Sequence, residues 1–194
     1  MNGNKGVYSV LVVSEQEKLY DSLRELLPME DYHPMELVKS SGEARRKLVS
    51  GNYDLLIINT PLRDDFGTQL ALDMSDTSMG ILLFVKADLV DSVAYKVESC
   101  GIFTIAKPNS KQAIYSAVKL LSAMNTKLKK MEKIEQALKE KMADIRIVNR
   151  AKWLLIENLK MSENDAHYYI EKQAMDTRMS RREVAQGIIR TYDI

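Results

Sequence analysis

The residues of this 194-residue chain that could do chemistry do not form the catalytic group of an enzyme. His33 and His167 are the two histidines and stand isolated, and Cys100 is the single cysteine. The sequence shows no nucleophile–base pattern, no glycine-rich loop for phosphates and no metal-ligand spacing. We therefore predict a protein that is not an enzyme and that uses no metal ion or cofactor.

Cationic and aromatic residues near the end of the chain suit a different chemistry, contact with a nucleic acid. Five cations can neutralise phosphates, and arginine can also stack on bases; they are Arg150, Lys152, Arg178, Arg181 and Arg182. His167 or Tyr168 offers a stacking platform, and Asn149 can hydrogen-bond a base edge. The alternative is that these cations are solvated and that Tyr168 or Tyr169 belongs to a core.

The composition is that of a folded protein, with 45% hydrophobic and 28% charged residues. The net charge of +1 divides into −3 over residues 1–122 and +4 over residues 123–194, which permits a nucleic-acid surface in the second part. No apolar run approaches the roughly 20 residues that span a bilayer, and one cysteine excludes an internal disulfide. We expect a cytoplasmic protein with no membrane partner and no small-molecule substrate.

Short apolar runs and amphipathic segments alternate through the first part of the chain. The runs lack the in–out alternation of a half-exposed strand, which favours a parallel sheet covered on both faces. We predict a (βα)5 doubly wound α/β domain with strands at 8–13, 36–39, 54–58, 80–85 and 102–106, and helices at 16–27, 41–49, 67–74, 88–98 and from about 110. The second helix should place Ala44, Leu48 and Val49 inward.

A long helix without proline or glycine follows, from about Ser110 to Asn158. Apolar residues recur on it in steps of three and four, the heptad spacing of a coiled coil, with one polar interruption at Glu135. The seam residues are Leu121, Met124, Leu128, Met131, Leu138, Met142 and Ile145. We predict a homodimer through this seam; the alternative is one long helix packed within a monomer.

Two shorter helices complete an all-α C-terminal domain. Ser162-Glu163 marks the start of one, and Ser180 with Glu183 forms the capping-box pattern at the start of the other. Ala151, Ala174 and Ala185 are the expected close-packing positions between these helices.

The (βα)5 part resembles a response-regulator receiver domain. The resemblance covers about residues 7–122 and is carried by VLVVSEQE at residues 10–17, YDLLIINTPLRDDFG at residues 53–67 and IAKP at residues 105–108. It implies a phosphoacceptor Asp after strand three, two acids after strand one for Mg²⁺, a hydroxyl after strand four and a Lys after strand five.

The sequence departs from that pattern at most positions. Asn59 stands at the phosphoacceptor position, and a carboxamide is uncharged and a poor nucleophile. Ser14-Glu15 supplies one acid instead of two, which weakens a Mg²⁺ site. Neither Val85 nor Lys86 has a hydroxyl, and the intact Lys107 is left with Glu15 as its candidate partner. We predict a pseudo-receiver that is not phosphorylated at Asn59, with Asp64 and Asp65 as solvated loop acids.

The stretch from about Ile134 to Ile189 resembles an ANTAR domain, the RNA-binding module of transcription antitermination regulators. The motifs are NRAK with LL on its first helix, ENDAHYYI and QAMDTR on the second, and VAQGII on the third; they begin at Asn149, Leu154, Glu163, Gln173 and Val184. Trp153 departs from the family's usual glycine, and we expect it in the core more readily than on a stacking surface.

Together the parts resemble an antitermination regulator with three regions: a receiver-like domain at 1–122, a coiled-coil linker helix at 123–135 and an ANTAR domain at 136–194. The resemblance implies a dimer that binds paired stem-loops in a nascent leader transcript and so prevents the terminator hairpin from forming. A sensor kinase or other regulatory protein is a further candidate partner. The alternatives are a DNA-binding regulator that reads with the last helices and a protein-interaction adaptor.

Overall fold

The computed structural model describes residues 7–192 and divides the chain into two compact units, separated between Lys130 and Met131. The first unit holds a five-stranded parallel sheet in the order β2-β1-β3-β4-β5. The strands are β1 (Val10–Val13), β2 (Met35–Val38), β3 (Leu55–Asn59), β4 (Gly80–Lys86) and β5 (Phe103–Lys107). The helices that connect them are α1 (Glu17–Leu26), α2 (Ser41–Ser50), α3 (Thr68–Asp73) and α4 (Val90–Val97). The predicted α/β class and its five strands are confirmed.

Both faces of the sheet are buried, which explains the unbroken apolar runs. Leu11, Leu56 and Leu83 point into the core on one face, together with residues of α2, α3 and α4. Val12 and Ile57 point into the core on the other face, with residues of α1 and the next helix. The prediction that Val49 of α2 points inward is wrong, because its side chain is 90% exposed. The buried face of this helix contains Ala44 and the half-buried Leu48 instead.

One helix, α5, runs without interruption over Lys111–Leu159. Leu121 was predicted to lie in a dimer seam, but it is 4% exposed and belongs to the core of the first unit. A Cβ added to Gly80 would lie 3.1 Å from the Leu121 Cβ, a measure of how closely the helix approaches the sheet there. Leu121 is therefore buried by residues of its own chain, and an exposed seam can begin only at Met124.

A buried carboxylate joins the sheet to α5. The Asp54 side chain accepts hydrogen bonds from the Ser9 N–H at 2.8 Å and the Ser9 hydroxyl at 2.9 Å, and it pairs with Lys129. Asn125 donates to the Asp54 carbonyl at 3.2 Å and to the Ser78 carbonyl at 2.9 Å. Burial raises the pKa of Asp54, but the hydrogen bonds from Lys129 and Ser9 outweigh it and hold the pKa below its usual value.

We expect Asp54→Asn to lower the free energy of unfolding at pH 7 by about 2 kcal/mol, since charged hydrogen bonds in a buried place are lost. The depressed pKa stabilises the fold above the unfolded-state pKa of about 3.9, and this contribution disappears as the pH falls through the folded-state pKa. The difference between wild type and variant should therefore shrink at pH 3. Urea unfolding at both pH values measures it. Glu25→Gln, in an exposed pair with Lys111, should change nothing measurable; an equal loss in that control would contradict the assignment.

The second unit packs the end of α5 against α6 (Glu163–Thr177) and α7 (Arg181–Tyr192). Its core is small and tightly packed, with Ala151, Ala166 and Ala185 fully buried beside Leu155 and Ile170. Ala174 is only half-buried. Among the described residues, no helix is long and apolar enough to span a membrane.

Candidate functional site

Two groups of predicted residues lie in cavities, and the first is at the carboxyl edge of the sheet. Asn59 ends β3, Lys107 ends β5 and Ser14 follows β1. The Asn59 amide donates from Nδ2 to the Ser14 hydroxyl at 3.0 Å and accepts at Oδ1 from Lys107 Nζ at 2.7 Å. A neutral amide thus bridges a hydroxyl and an ammonium where two carboxylates would be needed to hold a divalent cation.

Lys107 is not paired with Glu15 as expected. It donates to the Asn59 side chain and to the Thr60 carbonyl, while Glu15 lines the same cavity. Burial, and after it the nearby Lys86, lower the pKa of Lys107. The oxygens that Lys107 contacts are uncharged, so the positive charge of the site is not neutralised by its hydrogen-bond partners.

The two acids of the following loop are partly structural. Asp64 was expected to be merely solvated, but its carboxylate accepts the Ser41 N–H at 2.8 Å and the Gly42 N–H at 2.9 Å. It therefore caps the start of α2, and these hydrogen bonds lower its pKa. Asp65 accepts the Gly67 N–H in its own loop.

The second group lies in a cavity of about 470 Å³ within the second unit, bordered by α5, α6 and the start of α7. Five of the eight predicted nucleic-acid-binding residues line it: Asn149, Lys152, His167, Arg181 and Arg182. Asp144, Ile145, Val148 and Ser180 complete the lining. Residues up to 38 positions apart in the sequence are thus brought to one concave surface.

Carboxylates hold the cations of this cavity in place. Lys152 Nζ lies 3.0 Å from Glu163 Oε1, and its side chain is 16% exposed. Arg182 Nη1 lies 2.6 Å from Asp144 Oδ1. Arg181 Nη1 and His167 Nε2 lie 3.1 Å and 3.4 Å from the same atom, Glu171 Oε1. The ion pairs of Arg181 and Arg182 are exposed and therefore weak, so a phosphate can replace their carboxylate partners.

The capping box at α7 is confirmed. Ser180 Oγ accepts the Glu183 N–H at 3.2 Å, and the Glu183 carboxylate accepts the Ser180 N–H at 2.8 Å. Arg181 and Arg182 therefore lie in the first turn of the helix, where cations oppose the helix dipole. An external anion in the cavity would offset that cost.

The other three predicted residues do not line the cavity. Arg178 ends α6 in the left-handed conformation, and its N–H donates back to carbonyls of the helix, so its backbone has a structural role. Tyr168 is 65% exposed on α6 and Arg150 is exposed on α5. Neither Tyr168 nor Tyr169 is buried, which corrects the expectation that one of them belongs to the core.

The prediction that Trp153 lies in the core is also wrong, because its side chain is 71% exposed. Ala151 and Leu155 mark the inward face of α5, and Trp153 lies about 200° around the helix from Ala151. It borders another cavity of the second unit, of about 440 Å³, with Asn149, Lys152 and Glu163.

Three acids that position the cations of these cavities were not predicted from the sequence; they are Asp144, Glu163 and Glu171. The i,i+4 spacing of His167 and Glu171, whose side chains lie 3.4 Å apart, is the local signal that could have identified one of them.

Each of the two parts of the chain is similar to known proteins. Residues 135–189 match the family model of the ANTAR domain, and the preceding sheet has the receiver fold. It superposes on the signal receiver domain of an HD domain-containing protein from Pseudomonas fluorescens Pf-5 with TM-score 0.57 at 21% identity, covering 67% of this chain and 96% of that one. A CheY-like receiver domain protein from Methanospirillum hungatei JF-1 gives TM-score 0.55 at 21% identity, over 63% and 98%. The chain thus combines a match to the ANTAR family in its C-terminal part with a receiver fold before it, as the two resemblances predicted.

A curated relative has the same extent. The chain is 25% identical over 189 residues to the transcriptional regulatory protein PdtaR of Mycobacterium tuberculosis, covering 94% of this chain and 89% of the relative. That relative is named as a transcriptional regulatory protein.

Proposed function

We propose that this chain is an RNA-binding transcription antitermination regulator that acts in the cytoplasm as a homodimer. The observation that carries the proposal is the single cavity that gathers Asn149, Lys152, His167, Arg181 and Arg182. Cations for phosphates, an imidazole for stacking and an amide for a base edge are the groups that read unpaired loop bases in RNA. We assign residues 123–135 as the linker helix and 136–194 as the RNA-binding domain.

A stripe of exposed apolar residues on α5 supports the dimer. Each of these side chains is between 40% and 60% exposed within one chain, although their spacing is that of a coiled-coil seam. They are Met124, Leu128, Met131, Leu138, Met142 and Ile145. Pairing with a second copy would cover them, and two protomers would present two cavities to paired stem-loops.

The test of the function compares three nucleic acids at two salt concentrations: a paired stem-loop RNA, the same stems with altered loop bases, and duplex DNA. We expect the affinity for the first to exceed that for the other two at both salt concentrations. Equal affinity for all three would reduce the binding to charge attraction. Preference for duplex DNA would favour a DNA-binding regulator, and no binding would favour an adaptor. Trp153 is the single tryptophan, so its emission also reports whether RNA reaches the neighbouring cavity.

We also propose that the receiver does not accept a phosphoryl group. The chain incubated with labelled acetyl phosphate and Mg²⁺ should take up no hydroxylamine-labile label, because Asn59 offers neither a nucleophile nor a cation ligand of full charge. The matched variant is Asn59→Asp with Ser14→Asp, which restores two carboxylates beside Lys107 and should become labelled. Hydroxylamine-labile incorporation at any Asp of the unaltered chain would contradict the proposal.

A further inference from the structure

The cavity at the carboxyl edge of the sheet is large and positively charged. Its volume is about 670 Å³, within the range of roughly 300–1,000 Å³ that small-molecule sites occupy. Its charged lining consists of three ammonium groups, from Lys18, Lys86 and Lys107, and one carboxylate, from Glu15. The net charge of the lining is therefore close to +2.

The positive charge is not neutralised by any carboxylate of the residues that the structure describes. Over residues 7–192, no carboxylate lies within ion-pair distance of the ammonium groups of Lys18 or Lys86. Lys86 and Lys107 are direct partners in the register of β4 and β5, so two like charges end neighbouring strands, an arrangement that is destabilising. The pKa of Lys107 is lowered by burial and by Lys86, which agrees with this repulsion.

Asn59 contacts Lys107 without cancelling its charge. Its carboxamide holds the ammonium of Lys107 at 2.7 Å without neutralising it. A carboxylate at the same place would cancel one charge and compete with any incoming anion.

The cavity also has an apolar part beside uncharged polar residues. Leu19 and Ile114 are half-buried and form one side, while Pro61 and Pro108 form the rim. A bare inorganic ion would leave these walls in water, whereas a ligand with an apolar body would cover them.

From this cavity, we propose that the receiver binds a small organic phosphate. The two negative charges of the phosphate match the net positive charge that the three lysines and Glu15 give to the lining. The apolar part of the ligand covers Leu19 and Ile114. The ligand binds reversibly at the place where a phosphorylatable receiver would be modified covalently. This inference does not depend on RNA binding by the second unit.

The test uses phenyl phosphate as the probe, with inorganic phosphate and uncharged phenol as matched controls, added to the full chain and followed by amide chemical shifts. Phenyl phosphate at about 10 mM, well above the roughly millimolar Kd expected of so small a ligand, should shift the amides of Asn59, Lys86 and Lys107 in a saturable way. Phenol should not. Inorganic phosphate should bind more weakly, and equal binding would overturn the role of the apolar walls. An absence of shifts at the cavity would overturn the proposal.

Three variants locate the site. Lys86→Glu should weaken phenyl phosphate binding by at least roughly tenfold through reversal of one nearby charge, and Asn59→Asp should weaken it in the same direction. Arg182→Glu, in the second unit, should leave it unchanged. Lys86 is exposed, so its variant should fold, which an unchanged circular dichroism spectrum verifies. Loss of binding with Arg182→Glu but not with Lys86→Glu would move the anion site to the RNA-binding cavity and overturn the proposal. The RNA affinity of Lys86→Glu should equal that of the wild type. Phosphate binding by the receiver and RNA binding by the second unit are therefore tested independently.

Discussion

Arg181→Glu combined with Arg182→Glu is expected to lower the affinity for a stem-loop RNA by at least roughly a hundredfold at low salt. Two cations that would contact phosphates are lost and two anions are placed in the same cavity, and the phosphate backbone supplies most of the affinity of such interfaces. The slope of log affinity against log salt concentration should become shallower by about two, since two phosphate contacts disappear. Fluorescence anisotropy at several salt concentrations measures both quantities.

The fold should survive this double change. Both residues lie in the first turn of α7, where glutamates interact favourably with the helix dipole. That gain offsets new repulsion from Asp144 and Glu171, whose present ion pairs are exposed. The melting temperature should therefore stay near that of the wild type, and a large drop would mean that the arginines act mainly in structure.

The matched control reverses the same number of charges in the same unit, away from the cavity. Lys172→Glu with Arg190→Glu alters two exposed residues on α6 and α7 that do not line it. We expect this pair to weaken RNA binding only slightly, through long-range electrostatics. A loss as large as that of the arginine pair would show that net charge, and not the cavity, attracts the RNA. Lys152→Ala should have a smaller effect than the arginine pair, because it removes one cation without adding an anion.

The strands could be predicted because a sheet covered on both faces requires continuous apolar runs. β1 and β3 each consist of consecutive buried residues over most of their length, and hydrophobicity alone reports that. The predicted strand ends were off by one or two residues, as at β1, which begins at Val10. The resemblance to a receiver domain implied that Asn59 and Lys107 lie at one site, and the parallel sheet places both at its carboxyl edge.

The positions that could not be predicted are those whose environment depends on which part of the fold packs against the side chain. A heptad pattern is the same whether its apolar residues face a sheet or a second helix, so Leu121 was assigned to a seam although the sheet buries it. An aromatic residue is usually buried, but Trp153 lies opposite the inward alanine and leucine of its helix. Asp64 caps a helix that begins 23 residues earlier, a contact that no local pattern reveals.

Leu128→Lys combined with Leu138→Lys is expected to convert the dimer to monomers. Both side chains are exposed within one chain, by 40% and 57%, so lysine at these positions costs the chain's own fold little. In a coiled coil the same positions are knobs surrounded by four residues of the partner helix, and burying two ammonium groups per chain there is strongly unfavourable. We expect the dimer dissociation constant to rise by at least roughly a thousandfold, measured by sedimentation velocity.

The control adds the same charge on another face of the same helix. Ala123→Lys with Ala137→Lys changes two exposed residues two heptads apart that lie off the stripe. This variant should remain dimeric. If it dissociates as well, added charge on α5 is sufficient to separate the chains; if the leucine variant stays dimeric, the interface lies elsewhere.

The monomeric variant also separates two ways of binding RNA. Its cavity residues are unchanged, so its affinity for a single stem-loop should match that of the wild type. On paired stem-loops the dimer gains from the high effective concentration of its second site, an advantage that can reach 10² or more and that a monomer lacks. We therefore expect the leucine variant to lose affinity selectively for paired stem-loops. An equal loss on single and paired loops would mean that dimerisation shapes each cavity and does not merely join two of them.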